Sequence, residues 1–287
     1  VESTYNWYWL VDGLMEQGYK VHLANTAAIQ QYNGLKYTDD NSDARWLAHL
    51  LRLGVLPEGY IYPRADRPVR DLLRKRSQMV RQRTVNLLSI QNLVTRNTGS
   101  SLNANRVKGL DVQQVDELLP NPDLALAVKA NLSVMCSADE QTEILERTVI
   151  ERVQLRPQFC FLKTVPGIGK ILSLTIMLET GDIRRFSSVG NYASYCRCVG
   201  SQKISNGKKK GQGNTKNGNK YLAWAFVEAA NFAIRFNAKI KSFYQRKKAK
   251  TKGVVAIKAV AHKLCRACYY IMRDRVPFNI TKAFGQK

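Results

Sequence analysis

The sequence lacks any apolar run that approaches the roughly 20 residues of a membrane-spanning helix, and it lacks a basic-then-apolar leader segment. We therefore expect a cytoplasmic protein with no membrane partner. Only three histidines occur, and none lies in an evident constellation with a nucleophile, which argues against a serine hydrolase of the Ser-His-Asp type. The chain opens with valine rather than methionine, so we expect residues upstream of Val1.

Acidic residues are almost missing from the last third of the chain. From Ser201 to Lys287 there are 16 lysines and 5 arginines against only Glu228 and Asp274, so this third holds most of the net charge of +23. Aromatic residues such as Tyr221, Trp224 and Phe226 are interleaved with the charges, which favours a folded region over a basic tail. Concentrated positive charge of this kind is typical of nucleic-acid binding.

Four of the six cysteines form two close pairs. Cys196 and Cys198 form one close pair, and Cys265 and Cys268 form another. Two such pairs are compatible with a zinc site. However, the second pair falls in a stretch with helical periodicity, so we favour buried free thiols in a reducing compartment.

Helical and extended patterns alternate at the start of the chain. We predict helices over residues 6–17 and 42–54, a strand through Val21 and Leu23, and a short strand over residues 60–63, which is an α/β pattern. Two long amphipathic helices follow, over residues 67–97 and 124–156. They predict an antiparallel hairpin that serves either as core packing or as an oligomerising arm. After Pro157 the pattern is mostly helical.

An acidic cluster, TDDNSDAR, stands at the start of the second predicted helix. Asp40 and Asp43 are three residues apart, so both carboxylates lie on one helix face, where they could share a Mg²⁺ ion. Capping of the helix N-terminus explains the same residues equally simply. Glu2 is a candidate for a third oxygen ligand.

The segment VPGIGK lies between two helical segments, as in helix-hairpin-helix DNA-binding motifs. Its candidate DNA-backbone contacts are Gly167, Gly169 and Lys170, because glycines admit a phosphate closely and the next helix presents free amides. A plain turn between packed helices is the alternative.

The segment SNGKKKGQGNTKNGNK is a loop of Gly, Lys, Asn and Gln headed by Ser205. Its lysines can neutralise phosphates, and the candidates are Lys208, Lys209, Lys210, Lys216 and Lys220. A serine in phosphoryl transfer needs no histidine if lysines and a metal stabilise the transition state. A flexible basic linker is the simpler interpretation of this loop.

These motifs together resemble one family. ESTYNWYW, TDDNSDAR, VPGIGK, FSSVGNYASYCRCVG, the basic loop and AHKLCRACYYIMRDRVPF follow one another as in the Piv/MooV-type insertion-sequence transposases and DNA invertases. Those recombinases pair a DEDD carboxylate set with a serine, and some are guided by a bridge RNA. The resemblance covers nearly the whole chain.

The resemblance implies a ribonuclease-H-like (RuvC-like) N-terminal domain that binds Mg²⁺. Glu2, Asp40 and Asp43 match the second, third and fourth acidic positions, and Asp39 is an adjacent extra. The first aspartate of the set would precede Glu2, so we expect this domain to be incomplete here. The implied domains are a partial RuvC-like domain over residues 1–64, a helical hairpin or coiled coil over 65–157, and a mostly α-helical serine transposase domain over 158–287.

The resemblance also implies the function, a site-specific DNA recombinase or transposase of a mobile element. Ser205 matches the serine that becomes covalently joined to DNA, and Ser201 is its nearest rival. The implied partners are the DNA of element ends and target, a guide RNA in some members, and further copies of the chain in a dimer or tetramer. The alternatives are a Mg²⁺-dependent nuclease or Holliday-junction resolvase without a covalent intermediate, and a non-catalytic nucleic-acid-binding protein.

Overall fold

The structure is a computed structural model that describes residues 1–4, 6–29, 39–200, 202–211 and 217–285. It is mostly helical. The chain divides into two compact units, one formed by residues 68–160 and the other by residues 1–67 together with 161–287. The three-domain division by sequence stays a prediction.

The unit of residues 68–160 is built on the two long helices that the sequence predicts. These are α3 (Arg67–Thr98) and α6 (Pro122–Val153), and two short helices lie between them, α4 (Ala104–Lys108) and α5 (Val112–Leu118). Pro122 occupies the first turn of α6, and Asn121 caps it by accepting hydrogen bonds from the amides of Asp123 and Leu124.

Ion pairs establish that α3 and α6 run antiparallel. Arg76 Nε donates to Glu146 Oε1 at 2.6 Å, and about two turns further along α3 Arg83 donates to Asp139. Residue numbers therefore rise along one helix as they fall along the other. The apolar core of this unit gathers where the two helices meet α4 and α5. Its buried residues are Leu87, Ile90, Val94, Leu102, Val107, Val115, Leu119, Ala125, Val128, Leu132 and Met135.

The second unit contains one almost fully buried helix, which packs against α10 (Lys220–Phe236). All residues of α8 (Lys170–Thr180) from Leu172 to Thr180 are buried. The other helices of this unit are α9 (Val189–Tyr195), α10 (Lys220–Phe236), α11 (Ala238–Lys248), α12 (Gly253–Asp274) and α13 (Ile280–Phe284), and the division between the units falls within α7 (Pro157–Leu162). Helix α10 buries a stripe of small residues, Ala225, Ala229, Ala230 and Ala233, which lets neighbouring backbones approach it closely.

The N-terminal segment of this unit contains two of the predicted helices, α1 (Trp7–Glu16) and α2 (Asp40–Arg52). Its predicted strands are wrong. Residues 1–3, 23–25 and 57–59 are neighbours, but within the described part of this segment they pair only through isolated bridges between Glu2 and Ala24 and between Ala24 and Glu58. The ribonuclease-H-like sheet therefore stays a prediction.

The segment over residues 60–63 forms no strand because its groups are committed elsewhere. The Tyr62 carbonyl accepts a hydrogen bond from Arg67 Nε at 2.7 Å, and the Tyr62 hydroxyl donates to the Glu179 carbonyl at 2.6 Å. The rings of Tyr60 and Tyr62 lie against Gly181, whose φ of +65° suits glycine. The segment thus docks on the end of α8 instead of extending a sheet.

The basic loop contains a β-hairpin that the sequence did not reveal. Strand β1 (Lys203–Ser205) pairs antiparallel with β2 (Lys208–Gly211), with Ser205 opposite Lys208 and a bulge between Lys203 and Ile204. The two-residue turn, Asn206-Gly207, has positive φ at both positions, as an Asn-Gly hairpin turn requires. Among the described residues, no helix is long and apolar enough to cross a membrane.

Candidate catalytic and nucleic-acid-binding sites

The three candidate carboxylates line one cavity. Backbone hydrogen bonds from Ser3 to Ala24 (2.9 Å) and from Ala24 to Val1 (2.7 Å) hold Glu2 beside the extended segment of residues 23–25. Asp40 and Asp43 project from the first turn of α2. A cavity of about 530 Å³ is lined by all three, together with His22 and mainly apolar residues.

Capping of α2 falls to a different residue. The Asp39 side chain accepts a hydrogen bond from the Ser42 amide at 2.7 Å. Hydrogen bonding from the Ser42 side chain, and then from this amide, holds the pKa of Asp39 below its usual value. Asp40 and Asp43 are therefore not the cap. One oxygen of Asp43, Oδ1, is buried without a hydrogen-bond partner.

The oxygen atoms that these three carboxylates offer are suitable ligands for Mg²⁺. Carboxylate oxygens are its preferred protein ligands, and the orphaned Asp43 Oδ1 is a polar atom that a cation would satisfy. Their spacing is less favourable. Within the described residues, no group of three or more His, Cys, Asp or Glu side chains is arranged to hold a metal ion.

The VPGIGK turn divides into a packed half and an exposed half. Gly167 has φ of +83°, and a Cβ there would lie 2.3 Å from the Ala229 carbonyl oxygen and 2.6 Å from the Ala233 amide nitrogen of α10. Gly169 and Lys170 are exposed, and a Cβ on Gly169 would meet nothing. Gly167 is thus explained by helix packing, which leaves Gly169 and Lys170 as the part of the turn that a phosphate can reach.

The first turn of α8 suits an anion. Its N-cap, Gly169, offers no side chain to the first amides, and those amides have no partner inside the helix. An uncapped helix N-terminus next to an exposed lysine attracts phosphate through its amides and its dipole. The structure is therefore compatible with the predicted backbone contact.

Ser205 lies at the exposed tip of the hairpin. It precedes the Asn206-Gly207 turn and stands opposite Lys208, with Lys209 and Lys210 next along β2, and all these residues are exposed. Among the described residues, the Ser205 hydroxyl has no hydrogen-bond partner. Lys220 is exposed at the start of α10, while Lys216 and Ser201 lie outside the described residues.

The far end of the basic loop is held firmly. Arg197 donates to the carbonyls of Asn217 and Gly218, each at 2.9 Å, and the Asn219 amide donates to the Tyr195 carbonyl at 2.7 Å. A Cβ on Gly218 would lie 2.5 Å from that carbonyl oxygen. The loop therefore returns through one tight crossing beside α9.

Asn219 joins this crossing to the buried helix. Its Oδ1 accepts from the Tyr221 and Leu222 amides and so caps α10, while its Nδ2 donates to Glu179 Oε2 at 2.8 Å. Glu179 is only 1% exposed. We call Tyr62, Glu179, Tyr195, Arg197 and Asn219 the anchor. Its signals in the sequence are an asparagine just before a helix and a single acid inside an apolar stretch.

The two cysteine pairs meet in the core. Burial raises the pKa of Cys265 and Cys268, and the pKa of each is raised further by Cys196 and Cys198 nearby. All four are free thiols, and three of them are fully buried. Among the described residues, these four thiols do not form a cluster arranged to hold a metal ion, so the structure does not add support to a zinc site.

Comparison with known proteins relates part of this unit to a described family. Residues 160–245 match a transposase family. The model that matches is described as Transposase IS116/IS110/IS902 family, and the matched residues contain Ser205 and all eight candidate DNA contacts. The carboxylates Glu2, Asp40 and Asp43 lie outside it.

A known protein is similar over a longer stretch. The insertion element IS110 uncharacterized 43.6 kDa protein of Streptomyces coelicolor is 22% identical over 152 residues, which is 53% of this chain. The match spans 38% of that relative's length. The predicted resemblance is thereby confirmed in its coarser part, as similarity to a transposase family and to an insertion-element IS110 protein. The Piv/MooV assignment and the carboxylate and serine assignments stay predictions.

Proposed function

We propose that the protein is a site-specific DNA recombinase or transposase of a mobile element that joins itself to DNA through Ser205. One observation carries the proposal. An exposed serine stands beside exposed lysines at the tip of a hairpin, inside the segment that matches a transposase family. The anchor holds residues 217–219, at the C-terminal end of the same loop, through hydrogen bonds to Arg197, Tyr195 and buried Glu179.

The reaction we propose conserves phosphoester bonds. Ser205 Oγ attacks the scissile phosphorus and forms a new P–O bond as the bond to the leaving strand oxygen breaks. The serine proton is lost, and the leaving oxygen gains a proton. Because the number of phosphoester bonds is unchanged, the reverse attack by a strand hydroxyl rejoins the DNA. Lys208, which stands opposite Ser205, stabilises the added negative charge, and Lys209 and Lys210 add positive charge around the tip.

Glu2, Asp40 and Asp43 are the residues that would hold Mg²⁺. A bound Mg²⁺ supplies charge neutralisation at the phosphate oxygens. The shared cavity and the unpartnered Asp43 Oδ1 support this assignment.

The partners we propose are the DNA of element ends and target, and a guide RNA of the kind used by some related recombinases. Exposed Gly169, Lys170 and Lys220, with Lys216 in the same loop, extend the contact to the DNA backbone. We further propose a dimer or tetramer. It is supported by the antiparallel hairpin of α3 and α6, which leaves Val85 and Leu88 half to two-thirds exposed one turn apart.

The second candidate is a Mg²⁺-dependent nuclease or junction resolvase that uses water. The cavity lined by three carboxylates favours it, because the carboxylates need no serine for such chemistry. No observation favours a purely non-catalytic binder over these two.

The test is a search for a protein–DNA adduct. Full-length protein is incubated with Mg²⁺, element-end DNA and RNA transcribed from the flanking region, and the products are run on a denaturing gel. We expect an adduct with the natural protein and with the Ser201→Ala control, and none with Ser205→Ala. We expect Asp43→Asn to lower the rate of adduct formation at least about 100-fold, which is the range for loss of strong electrostatic stabilisation.

Other outcomes identify the alternatives. Cleaved DNA without an adduct, equal in natural protein and Ser205→Ala but lost in Asp43→Asn, would establish the nuclease. Loss of the adduct in Ser201→Ala alone would identify Ser201 as the nucleophile. DNA binding without any Mg²⁺-dependent product would leave only the non-catalytic protein.

A further inference from the structure

A second cavity, outside the segment that matches the transposase family, lies at the C-terminal end of the chain. Helix α12 ends where Arg275 adopts a left-handed conformation with φ of +53°, and the chain turns back along the helix. The returning segment is held by a hydrogen bond from the Phe278 amide to Thr164 Oγ1 and by one from Lys263 Nζ to the Ala283 carbonyl, each 2.8 Å. Between helix and segment lies a cavity of about 670 Å³.

The cavity carries an excess of positive charge. Its lining includes three cations, Lys263, Arg266 and Lys282, against one acid, Asp274. That acid already pairs with Arg273, whose Nε lies 2.6 Å from Asp274 Oδ1. Lys263 donates to a carbonyl rather than to a carboxylate, and Arg266 forms no ion pair with any described residue. The pKa of Lys263 is lowered, chiefly by burial and then by Arg266 and Lys247. A bound anion would relieve this crowding.

Apolar and aromatic groups complete the walls. Lys263, Arg266, Ala267 and Tyr270 lie on one face of α12 at helical spacing, and Val276, Pro277 and Phe278 lie on the returning segment. The volume is within the usual range of small-ligand sites, roughly 300–1,000 Å³. Cations and aromatic rings around one space suit a ligand that has both a phosphate and a flat ring.

We propose that this cavity binds a single nucleotide unit, with its phosphate at Arg266, Lys263 and Lys282 and its base against Tyr270 and Phe278. Arg266 supplies paired donors of the geometry that phosphate prefers, and aromatic rings stack on any base. The unit comes either from a free nucleotide or from one nucleotide of a bound strand. The second source rests on the proposed function, since it assumes a nucleic-acid partner.

The test measures nucleotide binding by calorimetry. The probes are thymidine 5′-monophosphate, thymidine, inorganic phosphate and a short 5′-phosphorylated oligothymidylate. The variants are Arg266→Ala, Tyr270→Ala and Lys258→Ala, the last being a control that removes one exposed cation of α12 away from the cavity. Circular dichroism checks that each variant is folded.

We expect Arg266→Ala and Tyr270→Ala each to weaken binding about tenfold or more, and Lys258→Ala to change it less than about twofold. Thymidine and inorganic phosphate should each bind at least about tenfold more weakly than the monophosphate or the oligonucleotide. Binding of the monophosphate identifies a free-nucleotide site. Binding of the oligonucleotide alone, with the same dependence on Arg266, identifies a site for a nucleotide within a strand.

Two results would overturn the proposal. Inorganic phosphate that binds as tightly as the nucleotide probes would reduce the cavity to an anion site. Equal affinities of Arg266→Ala and Lys258→Ala for every probe would remove the cavity from nucleotide binding altogether.

The failure of this proposal is separable from the failure of the proposed function. Calorimetry needs neither Ser205 nor cleavage, and it is repeated with Ser205→Ala. Nucleotide binding without adduct formation would support the nucleotide-binding cavity and reject the recombinase proposal. Adduct formation without Arg266-dependent binding would support the recombinase proposal and reject the nucleotide-binding cavity.

Discussion

The VPGIGK turn and the basic hairpin were both predicted to bind DNA, and they differ in how far their exposed groups lie from a packed glycine. In the turn, Gly167 packs on the backbone of α10, two residues before the exposed Gly169. In the basic loop, the packed glycine is Gly218, at the anchored end, and the serine and lysines stand well before it at the hairpin tip. The exposed amides of the turn thus lie next to a glycine that packs on the core, whereas the serine and lysines of the hairpin lie on an exposed tip, apart in sequence from the packed Gly218.

The largest expected effect separates packing from DNA contact within the turn. Gly167→Ala places a Cβ into the α10 backbone at a positive φ, so we expect it to lower the free energy of unfolding by about 3 kcal/mol or more. Gly169→Ala should cost less than about 1 kcal/mol, because its Cβ meets open space. Urea denaturation measures both. Equal stability of the two variants would contradict the packing role of Gly167.

The next largest effect is expected at the anchor, which holds the C-terminal end of the basic loop. Asn219→Ala removes the cap of α10 and the donor to buried Glu179, and we expect a loss of about 2–4 kcal/mol in unfolding free energy. Adduct formation should fall as well, since the loop loses its fixed end. The control is Asn217→Ala, an exposed neighbour, which should stay within about 0.5 kcal/mol of the natural protein.

Substitutions at the hairpin tip should have the opposite effect: they should weaken DNA binding and leave the stability of the protein unchanged. Replacing Lys208, Lys209 and Lys210 by alanine should reduce the slope of log affinity against log salt by about 2–3 for DNA duplexes, one for each lost phosphate contact. The melting temperature should not change. A matched variant with Lys241, Lys248 and Lys258 replaced removes the same charge from other exposed positions. If both variants lower the slope equally, the net charge and not the hairpin carries the DNA affinity.

The smallest effect concerns the cap of α2 and depends on pH. The folded protein holds the pKa of Asp39 below its unfolded value, so this carboxylate stabilises the fold at pH above the unfolded pKa. The contribution is lost as pH falls through the folded pKa. Asp39→Asn keeps a capping oxygen but cannot titrate, and thermal melts between pH 2 and 6 should show a slightly flatter acid limb. Because Asp40 and Asp43 do not cap the helix, Asp40→Asn should leave this cap contribution in place.

Local patterns in the sequence predicted much of the fold and part of the sites. The periodicity of residues 67–97 and 124–156 predicted α3 and α6 closely, because each helix is defined by its own apolar face. The spacing of Asp40 and Asp43 placed them on one helix face, and the structure adds Glu2 to the same cavity. The strand over residues 60–63 was wrong, because alternation cannot show that Tyr62 bonds to Glu179, 117 residues away.

The helices, the basic last third and the motifs that resemble a transposase follow from local patterns, because each is defined by residues that are neighbours along the chain. The packing of Gly167 on α10, the bond from Tyr62 to Glu179, and the meeting of Glu2 with Asp40 and Asp43 at one cavity arise only in the folded chain. Those outcomes depend on chain segments that meet across long separations. They are set by burial and by hydrogen bonds that no local pattern encodes.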